Sequence, residues 1–365
     1  MKNLLSYAFI LSFLIIAACK QSAPGTEFVA EKHTDAKGYS YETVTNDPTG
    51  LRLYTLENGL KVYLSQNRDE PKIQTYVAVR AGSTYDPADN TGLAHYLEHM
   101  LFKGNSEFGT QDWETEKVYL DSISNLFEKH KNETDPAKKK EIYKEIDRVS
   151  LEASNYSIAN EYDKMIGSLG AQGTNAHTSN EETVYHNKIP ANELEKWAKV
   201  EKDRFSELVL RLFHTELEAV YEEFNRGLDD DGRKKYYAMN NALFPNHPYG
   251  QQTTIGTSEH LKNPSMVAIQ DYFDKYYVPS NMAVVLVGDF EFDPTIQLID
   301  ETFGQLENKA VEHPVLPKEE PLGSITEIEV FGPTAESVRV AYRINGGLGS
   351  EDHKKAMLID MMNST

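Results

Sequence analysis

The sequence predicts an α+β fold, a mixed sheet with helices packed on one of its faces, and three observations carry that prediction. Two short β-rich runs at 51–56 and 61–66 flank Asn58-Gly59, the dipeptide that tight hairpins favour because both central residues take positive φ. A third β-rich run at 73–80 follows. Amphipathic helical stretches then occupy most of 191–212 and 265–276, and 283–287 reads as a buried strand.

In chain order, Lys2 precedes an apolar run from 4 to 18, and Ile16-Ala17-Ala18-Cys19 has the form of a bacterial lipoprotein signal in which Cys19 is lipidated. The run is about 15 residues, short for a membrane span that needs roughly 20. Residues 1–19 are therefore expected to be a signal peptide and 20–50 a polar tether, with the anchored chain in a bacterial cell envelope. Cys19 is the only cysteine, so no internal disulfide supports the fold. The main unit is expected over 51–307. Within it, about 112–160 is dense in charge, with apolar residues at Leu120, Ile123 and Phe127 and again at Ile142, Ile146, Val149 and Ala153. Those spacings are helical, and Asn132 to Pro136 supplies a turn, so a surface helical hairpin is expected, either inserted or built by lengthening native helices. Residues 308–365 begin as a linker, its prolines at 314, 317 and 321 breaking helix and strand alike. Strand patterns follow at 325–331 and at Val338, Val340, Tyr342 and Ile344, then a helical run at Met357, Leu358, Met361 and Met362. Strand, strand, helix is also how the main unit begins.

Between Gly92 and Met100 lies His95-Tyr96-Leu97-Glu98-His99. Histidines four apart share one face of a helix, so both can reach one metal ion, and Glu98 projects beside them. His-x-x-Glu-His reverses the commoner His-Glu-x-x-His and marks inverted zinc peptidases. The flanking Leu93, Ala94, Leu97, Met100, Leu101 and Phe102 make the helix apolar nearly all round, and buried imidazoles and carboxylates need partners or a metal. A catalytic zinc wants three protein ligands. The third is sought in 215–223, where Thr215 and Glu218 form a capping box that predicts a helix start. Glu216 and Glu223 then lie two turns apart on one stripe; one can bind metal while the other supports it.

Together these residues resemble the pitrilysin or insulin-degrading enzyme family of zinc metallopeptidases, which includes the mitochondrial processing peptidases. The likeness runs from about 51 to 306. It takes in Val77 to Ser83, Gly92 to Gly104, Thr174-Asn175-Ala176-His177-Thr178 with Thr183-Val184-Tyr185, and Tyr277 to Met282 with Val287-Gly288-Asp289. The resemblance makes His95, His99 and Glu223 the ligands of one Zn2+ per chain and Glu98 the general base on zinc-bound water. It makes Glu216 a supporting acid, and Asn175 and Ala176 edge-strand residues that bind substrate as an added strand. The spacing from His99 to Glu223 is longer than the family's, and the 112–160 segment accounts for the excess. The family pairs homologous units, so 308–365 is expected to open a second, incomplete one, and the chain to be a fragment whose partner unit lies downstream or in another subunit.

The implied function is zinc-dependent endopeptidase action on peptides or unfolded protein segments. A catalytically silent relative acting as a partner subunit, and a lipoprotein that only binds metal or peptide, are the alternatives. With 37 basic against 57 acidic residues the net charge is −20, which excludes nucleic acid as a partner because phosphate binding needs a basic surface.

Overall fold

The computed structural model describes residues 28–344 together with 354, 355 and 357. Its strands are β1 (Ala30–Thr34), β2 (Ser40–Val44), β3 (Arg52–Thr55), β4 (Lys61–Gln66), β5 (Lys72–Val79), β6 (Gln172–Thr178), β7 (Thr183–Pro190) and β8 (Met282–Gly288). They form one sheet in the order β1-β2-β3-β4-β8-β5-β7-β6. Only β4 and β8 run parallel, so the sheet is mixed. Asn58-Gly59 turns β3 into β4, with Gly59 at φ +88°, where an added Cβ would also crowd Ser280.

The sheet is buried on one face. Along β5, Ile73, Thr75, Val77 and Val79 are buried while Lys72, Gln74, Tyr76 and Ala78 are half-buried; Val62 and Leu64 of β4 and Val284 and Leu286 of β8 continue the buried side. This period of two is what one covered face requires.

Over the covered face and beside it lie α1 (Leu93–Met100), α2 (Trp113–Asn132), α3 (Pro136–Ser154), α4 (Glu161–Ser168), α5 (Leu194–Ser206), α6 (Phe213–Leu228), α7 (Asp231–Leu243), α8 (Pro248–Gln251), α9 (Ser258–Lys262), α10 (Met266–Tyr276) and α11 (Phe292–Thr302). The charged segment forms the α2–α3 hairpin. Leu120, Ile123 and Phe127 on α2 and Ile142, Ile146 and Val149 on α3 are buried. Asp135 starts α3 by accepting from the N–H groups of Ala137 and Lys138, and Pro136 occupies the first helical position, where no N–H is needed.

Two sequence expectations differ from what forms. Part of the segment expected as a tether is ordered, because β1 and β2 pair in register from Ala30↔Val44 to Thr34↔Ser40 and β2 pairs with β3. The side chains of β1 are all exposed and give no core pattern, and β2 offers the core only Tyr41, which packs beside Tyr54 with ring centroids 5.2 Å apart; the backbone ladder supplies the rest. Residues 1–27, with the signal segment and Cys19, lie outside the described residues, among which no helix is long and apolar enough to cross a membrane. The strand patterns at 325–331 and 338–344 form no ladder: Ile325 and Val338 are each 91% exposed. Alternation states which face needs covering but cannot supply a partner backbone, and neither segment meets one among the described residues. Of the following helical run Met357 is helical, and Leu358, Met361 and Met362 lie outside the described residues.

One buried ion pair ties the loop after α1 to the hairpin. Arg211 and Glu116 are both fully buried, with Nε and Nη2 of the guanidinium donating to Oε1 and Oε2 at 2.8 and 2.9 Å. The same guanidinium donates to the carbonyls of Lys103 at 2.8 Å and Asn105 at 3.0 Å. Removing it leaves the buried Glu116 carboxylate with only the Ser157 hydroxyl, which donates to Oε1 at 2.9 Å, and takes this donor away from the Lys103 and Asn105 carbonyls. Arg211→Met is expected to lose about 3–5 kcal/mol of stability, read as a shift in the denaturant midpoint. A shift under about 1 kcal/mol would show that water or a relaxed loop satisfies Glu116.

Candidate metal centre

The motif helix α1 is fixed at both ends before any metal is considered. Gly92 precedes it at φ +88°, and a Cβ there would lie 2.6 Å from the carbonyl oxygen of Ile255, so the position needs glycine twice over. The buried Asp86 carboxylate accepts from the N–H groups of Gly92 at 2.8 Å and Ala94 at 2.9 Å. Burial pushes its pKa up to about 7, against the pull of those N–H donors. Leu97 and Met100 are fully buried, and the Tyr96 hydroxyl donates to the Phe213 carbonyl at the start of α6. These contacts aim His95, Glu98 and His99 together at α6.

Helix α6 begins at Phe213 and not at the Thr215–Glu218 capping box. Leu212 holds the cap position at φ +56° with no side-chain cap bond, which leaves Thr215 inside the first turn. The Glu216 and Glu223 stripe is unaffected. One donor atom from each of His95, His99 and Glu223 lies within 4.8 Å of the others. His95 Nε2 and Glu223 Oε2 are 3.6 Å apart, close to the about 3.4 Å that separates two ligand atoms around a tetrahedral zinc at about 2.0–2.1 Å.

The tautomers suit a cation. His99 Nδ1 lies 3.2 Å from Glu216 Oε2, so its N–H points there and Nε2 is left as a lone-pair donor. Glu216 Oε1 pairs with Lys103 Nζ at 2.5 Å. Burial alone would raise the Glu216 pKa, but the bonds from His99 and Lys103 outweigh it and hold the carboxyl below its usual range. Burial first, then the charges of His99 and Arg233, depress the His95 pKa to about 4, so the imidazole is in its neutral, ligating form at neutral pH. Its Nδ1 is buried without a partner among the described residues. Two imidazoles and a carboxylate form a donor set that fits zinc with an open fourth position.

Glu98 is 8% exposed, and its Oε2 accepts from the Thr178 hydroxyl at 2.6 Å. Burial raises its pKa, with the Thr178 bond working against the rise. A carboxylate with raised proton affinity beside a metal site is suited to taking a proton.

A cavity of about 710 Å³ opens over these residues, walled by Ala176, His177 and Thr178 of β6 and by Arg233, Tyr236 and Tyr237 of α7. Among the described residues strand β6 pairs only with β7, so its outer edge is unpaired in the sheet order. Asn175 faces away, exposed, opposite His186. Sequence reasoning missed Thr178, Lys103 and Arg233 as site residues. Thr178 shares the face of β6 with Ala176, two residues back, and Lys103 follows His99 by one helical turn; those spacings were available signals. Nothing local marks Arg233.

Two segments of the chain match models of one known family. Residues 61–134 match the insulinase family, peptidase family M16, and residues 267–363 match the peptidase M16 inactive domain. The uncharacterized zinc protease YmxG of Bacillus subtilis is 23% identical over 268 residues, 71% of this chain and 51% of its own length. Human insulin-degrading enzyme is 25% identical over 290 residues, 75% of this chain and 23% of its own. The crystal structure of the periplasmic protease PqqL from Escherichia coli superposes with a TM-score of 0.57 at 20% identity, covering 75% of this chain and 26% of that one. The chain thus spans about half the length of the Bacillus relative and about a quarter of the human one. By its matched segments, its pitrilysin-type fold and its motif helix, the chain belongs to the insulinase family, peptidase family M16.

Proposed function

We propose that this chain carries the catalytic centre of a zinc-dependent endopeptidase acting on peptides or unfolded protein segments. The carrying observation is the convergence of His95, His99 and Glu223 donor atoms within 4.8 Å, with Glu98 buried beside them. Zinc held by those three residues supplies Lewis acidity and lowers the pKa of water. Thr178 occupies Glu98 Oε2, so Oε1 is the atom that takes the proton of the attacking water and hands it to the leaving amine. Lys103 keeps Glu216 ionised, and Glu216 keeps the His99 ring oriented. The open edge of β6, with Asn175 and Ala176 at its centre, suits a substrate that adds as a strand and bonds through its backbone. Such binding selects extended shape, which a folded domain does not offer.

A silent relative acting as a partner subunit is the second reading, and the inactive-domain match over 267–363 is what favours it. That stretch begins after every residue of the metal centre. Turnover of an unstructured peptide, with and without a chelator and alongside metal analysis, tests the proposal. Cleavage that stops on chelation and returns with zinc is expected; zinc bound without cleavage sinks the enzyme reading. Placement in the cell envelope rests on the Ile16 to Cys19 motif. Cys19→Ser is expected to lose incorporation of labelled lipid in a bacterial host, and equal labelling of both forms rejects the anchor.

A further inference from the structure

One wall of the cavity is a face of α7, where Arg233, Tyr236 and Tyr237 stand at i, i+3 and i+4; Thr254, Ile255 and the exposed Arg339 line it further out. Arg233 is half-buried, and among the described residues its guanidinium has neither a carboxylate nor a hydrogen-bond partner. That is an unusual state in a chain with 57 acidic residues. The nearby acids are committed elsewhere. Asp230 caps α7 by accepting from the backbone N–H of Arg233 at 2.9 Å, Glu98 is held by Thr178, and Glu223 stands with the two histidines. The position of the guanidinium is also provided for: Gly227, one turn beyond Glu223 on α6, lies so close that a Cβ there would be 2.3 Å from Arg233 Nη1.

A partly desolvated guanidinium with free donors matches a carboxylate, which it can bind through two parallel N–H···O bonds. A strand laid along β6 turns every second side chain toward the face that bears Ala176 and Thr178. We propose that Arg233 is a specificity-determining residue that receives a peptide carboxylate next to the scissile bond, with Tyr236 and Tyr237 covering the apolar part of the same substrate residue. The carboxylate comes from an Asp or Glu side chain or from a free C-terminus. This inference rests on the peptidase reading and names its substrate class.

The test uses matched peptides: one pair with Glu or Gln at each position flanking the cleaved bond, and one pair ending in a free acid or an amide. kcat/KM is measured on the zinc-loaded wild-type chain, and Kd on the Glu98→Gln background. Wild type is expected to favour the acidic member of one pair by about tenfold or more, and which pair responds identifies the source of the carboxylate. In Arg233→Gln that ratio falls to about one, and Arg233→Lys recovers part of it. Ratios within each protein are insensitive to a general loss of activity. Turnover or binding with the same ratio in wild type and Arg233→Gln overturns the assignment. Selective binding with no turnover of any peptide leaves the assignment standing and sinks the peptidase reading, and absence of both binding and turnover overturns both.

Discussion

Glu98→Gln is expected to keep its zinc and lose peptide turnover by about 10²-fold or more, the size of effect that removal of a positioned general base produces. The amide has nearly the shape of the carboxylate and can still accept from the Thr178 hydroxyl, which donates to Oε2 at 2.6 Å. The geometry of α1 should therefore survive, and with it the two imidazoles that the helix presents. What the substitution removes is the capacity to take a proton at Oε1. In the wild-type chain that capacity is heightened by burial, which raises the Glu98 pKa. The measurement is single-turnover cleavage of an unstructured peptide together with metal content of the same preparation. Turnover within about tenfold of wild type rejects the base assignment. Loss of zinc along with activity assigns Glu98 to the ligand set instead.

What could be read in the sequence, and what could not, follows how local each feature is. His95, Glu98 and His99 are fixed relative to one another by a single helical turn, so their spacing alone states their geometry. Glu223 lies beyond the whole α2–α3 hairpin, and only the family resemblance distinguished it from Glu216. The structure supplies the physical distinction: Glu216 is engaged by His99 and Lys103, whereas Glu223 stands 3.6 Å from His95 Nε2. The start of α6 was misplaced because a leucine at φ +56° leaves no capping signal, while Thr215 and Glu218 offered a false one. Strands β1 and β2 escaped notice because their order comes mainly from backbone pairing, with Tyr41 the one apolar side chain of the pair packed against the core. The converse error arose at 325–331 and 338–344, where a clear alternation meets no partner strand among the described residues. Arg233 reaches the metal centre only because α7 folds back along the end of α6, a tertiary fact with no local trace.

His99→Ala is expected to abolish stoichiometric zinc binding, because the two ligands that remain cannot hold the ion tightly. Glu223→Gln is expected to weaken binding less, since an amide oxygen still coordinates but brings no charge. Glu216→Gln tests the support role separately. A glutamine can still accept from His99 Nδ1, but it loses the ion pair with Lys103 at 2.5 Å, and the loosened imidazole should bind zinc about 10–100-fold more weakly. The three variants should therefore rank His99→Ala, then Glu223→Gln and Glu216→Gln, in a chelator competition that reports zinc affinity without any need for turnover. The rank matters more than any single value. If Glu216→Gln were to abolish binding while Glu223→Gln left it intact, the ligand and the support would exchange roles on α6. The 3.6 Å approach of Glu223 to His95 would then be a contact of the metal-free side chains alone. Retention of full zinc by His99→Ala would remove the two-histidine helix from the site, and with it the reason for reading Glu98 as a base.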